Sequence, residues 1–68
     1  MSRTKNTTLA HGITKQDQMF WMTLSSDSFV LLWAPRLEGG ANLVEKRLVP
    51  IGDDPQDIAM HWKEELIL

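Results

Sequence analysis

The sequence predicts an α+β domain in which a three-stranded antiparallel β-sheet (β-β-β-α) carries one C-terminal helix packed on one face. Three observations lead there: two apolar runs of strand length joined by a Ser/Asp turn, a third strand-like run closed by Pro50, and an amphipathic segment opened by Asp54-Pro55. Residues 1–17 stand apart as a flexible polar and basic N-terminal arm, and residues 18–68 form the single β-β-β-α domain.

Ser, Thr, Asn, Lys and Gln dominate residues 1–17, and Leu9, Ala10 and Ile13 follow neither a helical nor a strand period. Residues 19–24 (Met-Phe-Trp-Met-Thr-Leu) and 29–34 (Phe-Val-Leu-Leu-Trp-Ala) are rich in β-formers and flank Ser25-Ser26-Asp27-Ser28, which predicts a β-hairpin. A helix through both runs would hold this tetrapeptide in its middle, where Ser and Asp side chains compete for backbone hydrogen bonds. Pro35 cannot donate to a ladder, so it ends the second strand or sits on its edge. Residues 36–42 then connect through Gly39-Gly40 to a third strand over 43–49, an edge guarded by Glu45, Lys46 and Arg47.

Asp54 can cap a helix with Pro55 at its first position and Asp57 three residues after the cap, a variant of the capping box. Asp53, Asp54 and Asp57 all suit the positive end of the helix dipole. Ile58, Trp62 and Leu66 recur every four residues with Ala59 beside them, so a helix over 55–66 turns this stripe to the sheet and His61, Lys63, Glu64 and Glu65 to solvent. The apolar Ile67-Leu68 end predicts a docked terminus.

Composition excludes several classes of function. Without cysteine there is no thiolate metal site, thiol catalysis or disulfide framework, which fits a reducing cytosol. The longest apolar run, residues 29–35, falls far short of the roughly 20 residues that span a bilayer. The first residues lack the apolar centre of a signal peptide, so a cytoplasmic chain is expected. The net charge of −2 is an average over unlike parts: Arg3, Lys5 and Lys15 make the arm basic, while Asp53, Asp54, Asp57, Glu64 and Glu65 outweigh Lys63 at the other end. That distribution offers no broad basic platform for nucleic acid.

No enzyme, cofactor or metal site is expected. His11 and His61 lack ligand partners at metal spacing, and His61 reads as a surface i, i+4 pair with Glu65. Capping accounts for Asp53, Asp54 and Asp57, the serines lack a Gly-x-Ser-x-Gly elbow, and Gly39-Gly40 reads as a turn.

Strand alternation carries the functional reading. Phe20, Met22 and Leu24 share one face and Met19, Trp21 and Thr23 the other; Phe29, Leu31 and Trp33 likewise oppose Val30, Leu32 and Ala34. Both faces are apolar, and one helix covers one of them. The other needs a cover: the arm with Leu9 and Ile13 aided by Leu37, a second copy, or another protein. Candidate partner-binding residues are Trp21 and Trp33, the cations Arg36, Lys46 and Arg47, and the acidic Asp53, Asp54, Asp57, Glu64 and Glu65, which could stand in for phosphates. The expectation is a homodimeric, non-enzymatic protein-binding module that occupies a surface of a host complex. In size and charge it is analogous to phage and mobile-element inhibitors, anti-CRISPR proteins among them. The alternative is a small DNA-binding protein or transcriptional regulator that uses the three-stranded sheet.

Overall fold

Three hairpin turns built in the same way set the architecture of the computed structural model, which describes residues 8–68. In each turn one residue accepts a hydrogen bond from the N–H three positions on and donates its own N–H to the carbonyl four positions on. Thr14 does so with Asp17 and Gln18 (2.9 and 2.9 Å), Ser25 with Ser28 and Phe29 (3.2 and 2.9 Å), and Arg36 with Gly39 and Gly40 (3.1 and 3.2 Å). The fourth turn residue has positive φ every time: 67° at Asp17, 66° at Ser28 and 103° at Gly39. This left-handed residue gives the chain the twist that flanking strands require. The repeat lies in the backbone and has no counterpart in the three turn sequences.

The turns join β1 (Thr8–Ile13), β2 (Met19–Leu24), β3 (Phe29–Pro35) and β4 (Ala41–Leu48) into an antiparallel meander of order β1-β2-β3-β4, followed by α1 (Pro55–Ile67). The α+β class and the C-terminal helix agree with the sequence reading, but the sheet has four strands, not three. The added strand, β1, comes from the segment expected to be a flexible arm; residues 1–7 of that arm lie outside the described residues. Its composition misleads for a packing reason. The positions of β1 that face the helix are Ala10 and Gly12, and a Cβ on Gly12 would stand 3.1 Å from Phe20 Cζ and 3.3 Å from Ile67 Cδ1. Small residues are what this crowded place accepts, so the strand shows no apolar signature.

Pairing of Met22 with Ala10 on one side and Leu32 on the other brings one face of the sheet together with the helix. Ala10, Phe20, Met22, Val30 and Leu32 are buried there against Ala59 and Trp62, Val49 completes the core, and Leu24, Ile58, Leu66 and Ile67 pack around it. The helix lies chiefly on β1, with a smaller contact to β3. Gln56 Nε2 donates to the Leu9 carbonyl at 2.7 Å, which ties the helix to the bulge in β1. From the far side Arg47 on β4 reaches back, its guanidinium 4.2 Å from the Trp62 ring centroid and its nitrogens 3.2 Å from Glu65 and 3.8 Å from Glu45. These groups are partly solvated, so each contact contributes no more than about 1 kcal/mol. Glu65 is thus engaged by Arg47 rather than by His61.

Asp54 caps the helix as expected, its carboxylate accepting from the Gln56 N–H at 3.0 Å, with Pro55 in the first turn. At the other end Ile67 packs on the core while Leu68 is mostly exposed, so the docked terminus is Ile67 alone. Among the described residues no helix is long and apolar enough to cross a membrane.

The shared turn geometry makes a paired prediction. Glycine adopts positive φ without the steric cost other residues meet there, partly offset by its larger loss of chain entropy. Ser28→Gly is expected to raise stability by about 0.5–1 kcal/mol and Gly39→Ala to lower it by about 1–2 kcal/mol, read as opposite shifts of the thermal midpoint.

Candidate interaction surface

The same register that buries Phe20, Met22, Val30 and Leu32 under the helix turns their neighbours outward. Trp21 lies directly opposite Trp33, with His11 beyond Trp21 and Leu43 beyond Trp33. The next rows set Ile13 against Met19, Thr23 against Leu31 and Lys46, and Phe29 against Leu48. Both apolar faces inferred from alternation therefore exist, and both tryptophans of the hairpin lie on the one without a helix. Trp62 is core, 2% exposed.

A bulge in β4 completes this face. Leu32 pairs with Glu45 but Trp33 pairs with Leu43, so Val44 is the extra residue and side-chain parity inverts across it. Without that inversion Leu43 would point away from Lys46 and Leu48; with it all three share the open face. Ile13, Met19, Leu43 and Leu48 each leave between 49% and 60% of their surface exposed, and the half-buried Trp21, Phe29, Leu31 and Trp33 lie between them. An open apolar groove of about 540 Å³ runs along the β1–β2 side, lined by His11, Gly12, Ile13, Met19, Phe20 and Trp21.

Two interactions hold this surface in shape. Trp33 Nε1–H donates to Thr23 Oγ1 at 2.9 Å, a diagonal bond across the central strands that fixes the indole and satisfies the hydroxyl of a threonine 4% exposed. Lys46 Nζ sits 4.7 Å from the centre of the Phe29 ring, within cation–π range.

The partner-binding candidates do not assemble into one site. Trp21, Trp33 and Lys46 share the open face. Arg47 is on the helix side, and Arg36 sits in the β3–β4 turn, 3.6 Å from Glu38. Asp53, Asp54 and Asp57 border a shallow depression at the helix N-terminus with Gly52, Ile58 and His61, while Glu64 and Glu65 lie toward its other end. Among the described residues no three His, Asp or Glu side chains converge as a metal site. The candidate partner-binding residues left out Ile13, Met19, Phe29, Leu31, Leu43 and Leu48, which the register places on this surface. Alternation pointed to Met19, Phe29 and Leu31; the bulge and the unrecognised β1 concealed Leu43 and Ile13.

Of the three covers the sequence allows, the arm aided by Leu37 is not supplied by the described residues. Residues 8–13 run beside β2 and widen the sheet, Ile13 adds to the exposed face, and Leu37 is fully exposed in its turn. The class defined is a four-stranded meander with a helix on one face and a preorganised apolar surface on the other. No family model, curated protein or solved structure matches the chain.

The Trp33 anchor is testable. Thr23→Val keeps the shape and removes the acceptor, which should cost about 1 kcal/mol in chemical denaturation and broaden the Trp33 indole N–H resonance relative to Trp62.

Proposed function

We propose that this chain is a non-enzymatic protein-binding module whose working surface is the helix-free face of its sheet. One observation carries the reading: an apolar surface centred on two tryptophans is built by strand register, locked by the Trp33–Thr23 bond, and left open by the described residues. Rigid aromatic anchors surrounded by aliphatic side chains are the composition of a protein-docking patch, because ordering them on binding costs little conformational entropy. The narrower reading, an inhibitor of a host complex of the kind phages encode, draws its support from the exposed carboxylates Asp53, Asp57 and Glu64.

The alternative, recognition of DNA by the sheet, would require cations on this face. Among the described residues Lys46 is the one Lys or Arg there, and it lies over Phe29. Arg36 and Arg47 are elsewhere and paired with carboxylates. Ile13, Met19, Leu43 and Leu48 offer the phosphates and base edges of a duplex no hydrogen-bond donor.

A photoreactive residue placed at Met19, on the open face, and separately at Met60, on the exposed side of the helix, discriminates between surfaces in living cells. Protein adducts from position 19 and none from position 60 are expected. Equal labelling from both positions, or salt-sensitive duplex DNA binding abolished by Lys46→Ala, would contradict the proposal.

A further inference from the structure

We infer that the protein surface this face docks against is a second copy of the chain, packed face to face about a two-fold axis that runs along the strands. The inference rests on the open face being the working surface and adds the identity and orientation of its occupant.

Edge-to-edge growth of the sheet is blocked at both ends. β1 bulges at Leu9, whose carbonyl already accepts from Gln56, and β4 bulges at Val44 and carries Glu45, Lys46 and Arg47. Bulges and charges of this kind prevent another strand from adding to an edge. What remains is face packing, and two twisted sheets pack this way with strands nearly aligned.

The area suits such a pair. Four strands about 4.8 Å apart and six to eight residues long present a face about 20 Å on a side. Its side chains expose on the order of 600 Å² of mainly apolar surface, the upper end of what monomers leave open. That is also roughly one partner's share of an interface near the lower limit of standard size, about 1,200 Å² in total.

The face is complementary to itself in one orientation. Its β1–β2 side holds the apolar groove, and its β4 side holds the half-exposed Leu43. A two-fold along the strands places β4 of one copy over β1 of the other while keeping positions along the strand in step. Leu43 lies in the row of Trp33, Trp21 and His11, so the axis sets each Leu43 into the partner copy's groove. The same operation puts the two Lys46 side chains on opposite sides of the contact, where they do not face each other. A two-fold perpendicular to the strands would bring Lys46 toward its own copy and leave the groove facing another groove.

Sedimentation equilibrium of the full chain tests this, with Leu43→Lys and Ile13→Lys as variants from opposite sides of the contact and Leu37→Lys as a control. All three positions are at least half exposed or nearly so, and circular dichroism verifies that each variant folds. A dimer is expected for the native chain and for Leu37→Lys, with dissociation at least tenfold more favourable in each of the other two. A photoreactive residue at Leu43 should label residues 11–21 of the other copy. A native chain that stays monomeric at its highest soluble concentration, or a dimer as tight in Leu43→Lys and Ile13→Lys, overturns the inference. A monomer that still forms adducts with a different protein from position 19 overturns the second copy alone, whereas a monomer forming none overturns the docking surface as well.

Discussion

One helix of thirteen residues has to serve a sheet with two apolar faces. At 1.5 Å per residue it is about 20 Å long and about 10 Å across, enough to blanket much of one face and none of the other. Among the described residues no second helix covers the other face. Leaving tryptophan, methionine and leucine in water forgoes burial that the fold could use. The surface is explained if its burial comes from association, since association then supplies the second half of the core.

The turns make that arrangement possible. Because each hairpin uses the same five-residue geometry, strand follows strand without a change of hand, and a residue's side is determined by its place relative to the turn. Met22, paired with Ala10 and Leu32, is buried; Trp21, one residue earlier and paired with His11 and Trp33, is on the open face. A slip of one residue in the central hairpin would exchange these sets. The Trp33–Thr23 bond and the contacts of Arg47 with Trp62 and Glu65 also depend on this register, one on each side of the sheet.

The central hairpin and the helix were legible in the sequence because their signals are local. Turn formers at Ser25–Ser28 bracketed by aromatic runs, and Asp54-Pro55 ahead of Ile58, Trp62 and Leu66, each state an element within a dozen residues. β1 was not legible because its inward positions are Ala10 and Gly12, and the space at Gly12 is taken by Phe20 of the next strand and by Ile67 from the far end of the chain. The membership of the surface was half legible. Alternation in the hairpin identified two apolar faces but not which one the helix takes, and the placing of Leu43 turns on a bulge at Val44 that no single residue announces. The charged candidates misled for a related reason: Arg47 and Lys46 are neighbours in sequence and lie on opposite faces, one bound to the helix and the other over Phe29.

The claim that the open face becomes an interior on association is tested most directly by methyl NMR with a soluble paramagnetic agent, followed over a range of protein concentration. The methyl groups of Ile13, Met19 and Leu43 are expected to be strongly attenuated in dilute solution and to become shielded as concentration rises, while those of Met60 and Leu37 stay attenuated throughout. Attenuation of Ile13, Met19 and Leu43 that does not change with concentration, or shielding that appears first at Met60, would contradict it.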